Sequence, residues 1–458
     1  MPVPPSPPLV TYSTPAPTDV VSFSVICRPA HAPMSSDEFR ARLPDAPLDE
    51  LLPDAAVLAG VANQLRSLGF EVFDQSASPI VIAAGPVARF EAVFGSQLAK
   101  MTQRTFTDHA EREITAIVLA KGSTQPRPDA VPGALIVSVP EPPLLANTPT
   151  TTGTDTRVCL DLRTGVAGLT RAKATNLLKL RSGSSATGEG VTVAVVDSGF
   201  DKHAFFNGHG YHITRLSSWH AGAADVDTHH HGTYVLANLL ACAPGVDAFG
   251  VKFVDVNSGF ATALSIPKVR IISLSWCWDL SVNPATSETD GLYLQIRDAI
   301  GKGVTVVVAA GNFSGRTFPA LMREVIAVGG VAVDQTRAVT AWVGTTAFTA
   351  SAVRQVPDVC GIASEINLPL PPINGQPATM HCQEGETSCA TAQVAGVAAL
   401  LIQKRPSLTP QAVKGHLTSG AMDVIVGSTF SNQNAGAGKD VATGSGLVDA
   451  LTSWHLVP

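Results

Sequence analysis

The chain has 458 residues and a formal net charge of −6, with 45% hydrophobic and 15% charged residues. Charged residues make up about 25% of an ordinary soluble domain, so a chain this apolar cannot be disordered throughout, and its length predicts two or three domains. The balance of 31 basic against 37 acidic residues offers no basic field for phosphates. That excludes nucleic acid as the expected partner in favour of a peptide, protein or small molecule. The longest apolar run, Val394 to Ile402, is nine residues, well short of the roughly 18 that a membrane span needs, so no membrane partner is expected.

Residues 1–19 begin with seven prolines in 17 positions and read as an extended, disordered tail. No charged segment leads there into an apolar one, so a secretory signal is not predicted. Residues 20–121 then alternate short strands with amphipathic helices. Val21 to Ile26 is a β-branched and aromatic strand. Val57, Val61, Leu65 and Leu68 share a helical face that Gly69 terminates. Strands follow at Phe70 to Phe73 and Ile80 to Ala84, Pro86 opens a helix carrying Val87, Phe90, Val93 and Phe94, and a last strand is placed at Leu98 to Met101. The order β-α-β-β-α-β predicts a ferredoxin-like α+β domain. Residues 122–159 turn Pro- and Thr-rich and read as a linker with one docked strand, Ala134 to Val139.

From 160 to 458 the texture changes. Val191 to Val196, Phe249 to Val254, Val269 to Leu274, Val304 to Ala309 and Val325 to Val328 are near-continuous Val/Ile runs separated by helical segments. Such runs predict an α/β domain with a parallel sheet covered on both faces. The seven cysteines are odd in number and form no CxxC pair, which predicts reduced, buried thiols and a cytoplasmic location, the alternative being export by a non-classical route.

Polar clusters sit at the ends of the apolar elements, where open parallel sheets build their sites. Asp197-Ser198-Gly199 follows one strand, and its carboxylate can be held nearly dry there, although the triplet is also ordinary turn chemistry. His231-Gly232-Thr233 opens a helix, which holds an imidazole rigidly for general base work. Together with Asp225, Asp227, His229 and His230 it also permits a metal reading, without the HExxH spacing that would make it specific. Ser388, in Thr387-Ser388-Cys389-Ala390, starts a helix of small residues. It reads either as an N-cap or as a nucleophile beside unpaired N–H groups that can stabilise an oxyanion. Asn312 closes a fourth element, Ala309-Ala310-Gly311-Asn312, from which its amide can donate to the same oxyanion.

In the order Asp197 (VAVVDSGF), His231 (HGTYVLA), Asn312 (VVVAAGN) and Ser388 (TSCATAQVAG), residues 160 to 455 resemble the subtilisin family of serine peptidases. The triad order Asp, His, Ser is the one associated with that family. The resemblance implies a subtilisin-like fold and an endopeptidase in which Ser388 attacks, His231 carries the proton, Asp197 orients the imidazole and Asn312 assists the oxyanion hole. It implies substrate contacts from the strand Ser273, Leu274, Ser275 and a primary pocket lined by Gly311 and Ala320, with Trp276 and Trp278 either walling a neighbouring pocket or packing in the core. No cofactor is required; a structural calcium, frequent among relatives, has no assignable loop of spaced carboxylates. Residues 65–72, 80–84 and 90–95 are similar to the activation domains of sedolisin peptidases. That implies a zymogen whose N-terminal domain chaperones and blocks the catalytic domain until a cut between about 140 and 165. Departures from the family pattern are Glu386, two before the nucleophile, and Ala392 and Gln393 after it. Glu386 raises the alternative of a catalytically impaired, subtilisin-fold peptide-binding protein.

Overall fold

The structure is a computed structural model that describes residues 9–31, 33–74, 77–107, 110–145, 176–207, 210–279, 287–312, 317–333, 339–341, 354–373, 376–384, 387–429 and 432–458. The chain forms two compact units, the first comprising Met1–Pro143, Val254–Ser265 and Ala285–Gly301, the second Leu144–Phe253, Ile266–Pro284 and Lys302–Pro458.

The first unit contains strands β1 (Leu9–Ser13), β2 (Val20–Cys27), β3 (Glu71–Phe73), β4 (Val81–Pro86), β5 (Leu98–Thr107), β6 (Ala110–Leu119) and β7 (Ala134–Ser138). Its main sheet runs β3-β4-β2-β7 with every neighbour antiparallel, the strand order of the expected ferredoxin-like domain. The period of two along β2 explains the two faces. Val21, Phe23 and Val25 join Val61 and Leu65 of the helix Ala55–Ser67, and Phe90 and Phe94 of the helix Val87–Phe94, in one core. Phe23 meets both Phe70 and Phe90 edge-on at 5.1 Å.

The opposite face is mixed, with Ser24 and Ser138 beside the buried Ile26, Ile82 and Ile136. Ser24 and Ser138 hydroxyls pair at 2.9 Å. The helices Val256–Leu264 and Ser287–Gly301, which the chain supplies much later, belong to this unit. Gln295 Nε2 donates to Ser78 Oγ and to the Asn257 carbonyl, both at 3.2 Å. Arg40 Nε donates to Asp290 Oδ2 at 2.8 Å, and Arg297 donates to the carbonyls of Leu43 and Ala46.

Three expectations change here. The strand foreseen at Leu98 to Met101 is the start of β5, which pairs with β6 and, on its other edge, with β1. The fourth strand of the main sheet is instead β7, the strand assigned to the linker, so the first unit extends past residue 121. The disordered tail is likewise too long by one strand: Leu9–Ser13 lies between Pro8 and Pro15, and its five proline-free residues have every N–H needed to pair.

The second unit contains β8 (Leu144–Leu145), β9 (Thr192–Asp197), β10 (His212–Ser217), β11 (Asp247–Lys252), β12 (Val269–Leu274), β13 (Trp276–Asp279), β14 (Thr305–Ala309), β15 (Thr317–Phe318), β16 (Ile326–Val333), β17 (Val339–Ala341), β18 (Val359–Ile362), β19 (Ser364–Ile373) and β20 (Gln376–Glu384). An eight-stranded sheet runs β10-β11-β9-β12-β14-β16-β17, with β18 also on β16. All its pairs are parallel except β16 with β17. The Val/Ile runs are buried in this sheet, together with the helices His231–Cys242 and Thr387–Lys404. Those two helices approach closely because position 396 is glycine: a Cβ there would lie 2.6 Å from Cys242 Cβ. Strand order reverses around β9, so the carboxyl end of β9 is the topological switch point at which such sheets open a crevice. Among the described residues no helix is long and apolar enough to cross a membrane.

Candidate active site

Asp197 is the last residue of β9, at that switch point, and is fully buried. Its Oδ1 accepts the Ser198 N–H at 2.7 Å and faces His231 Nδ1 at 2.7 Å. His231 begins its helix directly after His230, whose φ of 56° turns the chain into the first helical turn. The approach of these two segments depends on small residues. A Cβ on Gly232 would sit 2.2 Å from the Gly199 carbonyl oxygen, and one on Gly199 would sit 2.4 Å from that of Val226. No other residue type permits that spacing.

On the far side of the imidazole, Nε2 lies 3.1 Å from Ser388 Oγ. With Nδ1–H donated to the aspartate, Nε2 is an acceptor, so the serine hydroxyl has two acceptors in reach, Nε2 and the Ser275 carbonyl at 2.9 Å. Ser275 Oγ in turn donates to the Ser388 carbonyl at 3.0 Å. Ser388 is the second residue of its helix, so its own N–H belongs to the unpaired first turn. Tyr234 packs edge-on against the imidazole at 4.9 Å.

Asn312 is brought to the same place. Its Oδ1 accepts the Thr387 N–H at 2.9 Å and the Thr387 hydroxyl at 2.8 Å. A backbone N–H can only donate, so the partner atom is the amide oxygen, and the donor of this amide is Nδ2. Gly311, with φ of +104°, and Ala320 are both buried. Thr317 Oγ1 holds the Ala310 carbonyl at 2.7 Å.

The expected substrate strand needs correction. Ser273 and Leu274 lie inside the sheet, opposite Val195 and Val196 of β9 on one side and Val307 and Val308 of β14 on the other. Their backbone groups are committed, and strand addition there is impossible. Beyond Leu274 the chain passes through Ser275 into β13, which pairs antiparallel with Leu144–Leu145 of β8: Leu145 stands opposite Trp276 and Leu144 opposite Cys277. Further along, Trp278 and Asp279 face Phe318 and Thr317 of β15. Trp276 and Trp278 are buried; Trp276 donates to the Val196 carbonyl at 2.8 Å and sits in a row of rings with Phe253, Trp278 and Phe318.

The histidine cluster is divided among other partners. His231 Nδ1 faces Asp197, and His230 Nδ1 faces Asp201 Oδ2 at 3.2 Å. Among the described residues no three His, Cys, Asp or Glu side chains converge on a metal-sized site. Glu386 lies outside the described residues. Ala392 continues the Ser388 helix, and Gln393 exchanges hydrogen bonds with both backbone groups of Ile362 while donating to Asn238 Oδ1 at 3.3 Å. Two participants were not singled out from the sequence, Thr387 as the anchor of the Asn312 amide and Asp227 as a hydrogen-bond acceptor. The available signals were a hydroxyl residue directly before Ser388 and a carboxylate four residues before His231.

The model of the subtilase family matches residues 188–446, more than half of the chain, and the chain belongs to that family. It is 30% identical over 284 residues to alkaline elastase YaB of Bacillus sp. (strain YaB), an alignment covering 58% of this chain and 64% of that protein. It is 28% identical over 285 residues to subtilisin Savinase of Lederbergia lenta, covering 58% of this chain and 90% of that one. The chain thus spans less than two thirds of the length of the alkaline elastase. Among solved structures, fervidolysin from Fervidobacterium pennivorans, described as a keratinolytic enzyme related to subtilisin, superposes with a TM-score of 0.57 at 16% identity. That superposition covers 96% of this chain and 62% of fervidolysin, and it supports the subtilisin-like fold.

Proposed function

We propose that the protein is a serine endopeptidase made as a zymogen. The observation that carries the reading is the continuous relay from Asp197 through His231 to Ser388, with the Asn312 amide anchored by Thr387, the residue next to Ser388. Ser388 Oγ attacks a peptide carbonyl as its proton passes to His231 Nε2; Asp197 keeps the imidazole in the Nδ1–H tautomer and stabilises the imidazolium. Charge developing on the carbonyl oxygen is met by Asn312 Nδ2 and the Ser388 N–H, and loss of one such donor typically costs about 10²–10³ in turnover. His231 then returns the proton to the leaving amine, and water repeats the sequence on the acyl-enzyme. No step draws on a cofactor. Substrate enters as an added strand on Ser275 and β13, with its side chain directed toward the pocket of Gly311 and Ala320.

The first unit is read as a pro-domain of the sedolisin type, on the basis of its ferredoxin-like strand order. Pairing of Leu144–Leu145 along β13 supports a blocked cleft, because an extended segment already holds the edge that a substrate needs. The maturation cut is read as falling between about residues 140 and 165, in the chain that carries this segment. Labelling of Ser388 by a fluorophosphonate tests the chemistry: the adduct is expected in wild type and absent in Ser388→Ala. Absence from fully processed wild type would overturn the peptidase reading in favour of a peptide-binding protein. Intact mass and N-terminal sequencing test the zymogen, and an intact, uncut chain that cleaves substrate freely would exclude it.

A further inference from the structure

We infer that Asp227 is a positioning residue that holds the catalytic Asp197–His231 pair in register, an inference that rests on the triad reading above. Asp227 is buried, with 2% of its surface exposed. Its Oδ1 accepts the Ser198 hydroxyl at 2.7 Å and the His229 N–H at 3.3 Å. Its Oδ2 accepts both the N–H and the hydroxyl of Thr233, at 2.8 Å and 2.6 Å. Ser198 is the residue after Asp197, and Thr233 lies two after His231. One carboxylate therefore grips both segments that carry the acid–base pair.

The grip closes on itself. Ser198 Oγ accepts the Gly232 N–H at 3.2 Å, Thr233 Oγ1 accepts the Asp201 N–H at 3.0 Å, and the Asp227 N–H is held by Asp201 Oδ1 at 2.9 Å. Each hydroxyl donates to Asp227 and accepts from the opposite segment, so neither segment can slide without breaking several bonds at once. Only a carboxylate offers acceptor capacity on both oxygens for these four donors; the amide of asparagine presents an N–H₂ group to two of them instead. Burial pushes the Asp227 carboxyl upward, opposed by the hydrogen bonds from Thr233 and Ser198.

The processed enzyme matured from the full chain, in wild-type, Asp227→Asn and Ser198→Ala forms, tests the inference. kcat and KM on a chromogenic peptide are separated, thermal unfolding is followed, and the low-field proton resonance of His231 Nδ1–H is recorded. Misplacement of a catalytic group by about 1 Å costs on the order of 10²-fold. Asp227→Asn is therefore expected to lower kcat by about that factor with KM within about twofold, and to move the low-field resonance while unfolding stays cooperative. Ser198→Ala, which removes one of the four bonds, is expected to show a smaller loss in kcat of the same kind. A folded Asp227→Asn with unchanged kcat and resonance overturns the inference. If that variant does not fold, wild-type kcat in Ser198→Ala overturns it. Fully processed wild type that neither hydrolyses peptide nor labels with fluorophosphonate overturns the triad reading instead, and the resonance in Asp227→Asn then decides the positioning role alone.

Discussion

Replacing Thr387 by valine removes one hydroxyl of almost unchanged volume and tests how the oxyanion donor is aimed. Two hydrogen bonds fix the Asn312 amide, from the Thr387 N–H and from the Thr387 hydroxyl; the substitution deletes only the second. A neutral hydrogen bond contributes about 0.5–1.5 kcal/mol net, which, expressed wholly in the transition state, is about a 2- to 12-fold loss of kcat. KM is expected to stay constant, because the amide meets charge that exists only once the carbonyl has been attacked. Asn312→Ala, by contrast, is expected to lose about 10²–10³. In the Asn312→Ala background Thr387→Val should have no further effect, since the group it aims is gone; steady-state kinetics on the four proteins of this cycle measure the coupling. A Thr387→Val penalty of equal size in both backgrounds would show that the hydroxyl acts elsewhere, and the aiming argument would fail.

The remaining predictions concern stability in the second unit. Lys414 Nζ lies 3.1 Å from Asp358 Oδ1 while Arg354 donates to Asp358 Oδ2 at 2.5 Å, so two cations share one buried carboxylate. Burial lowers the Lys414 ammonium to about 8, with Asp358 opposing that shift. An unfolded lysine titrates near 10.4, so between these values the unfolded chain binds more protons and stability rises with pH. Urea unfolding should show a gain on the order of 3 kcal/mol across this window, no dependence from this group below pH 8, and a flattened slope in Lys414→Met. Gly444→Ala should lower the unfolding free energy by more than about 2 kcal/mol. At φ of +62° its Cβ would lie 2.4 Å from the Pro357 carbonyl oxygen, and a denaturation midpoint equal to wild type would refute that close fit.

The chemistry of the site was legible in the sequence because each of its four side chains sits where an apolar run meets a glycine or a helix start, and those junctions are visible without coordinates. Asp197 and His231 each have a glycine within two residues, and the structure uses Gly199 and Gly232 to let the two segments touch. The end of the sheet strand that carries Ser273 and Leu274 was not legible, for an equally physical reason. Ile271 to Trp278 contains no glycine or proline, so nothing in the pattern shows that the sheet strand ends at Leu274 and that the chain leaves it at Ser275. Strand β7 was read as linker because its Pro-rich flanks dominate the local composition, whereas its pairing with β2 is set by contacts more than 100 residues distant. Asp227 in a histidine-rich loop is compatible with a metal ligand until its four donors are seen.

The first unit is not continuous along the chain, and severing a peptide bond is therefore not the same event as losing the domain. A cut beyond Leu145 would leave the N-terminal fragment seated on the helices Val256–Leu264 and Ser287–Gly301, which stay on the other polypeptide. Departure of the fragment becomes a dissociation with its own rate constant, sensitive to concentration and to competing proteolysis of the freed piece. The strand face that parts carries Ser24 and Ser138 beside the apolar Ile26, Ile82 and Ile136. Ser24 and Ser138 can exchange their mutual hydrogen bond for bonds to water, whereas separation also brings the apolar side chains beside them into contact with solvent.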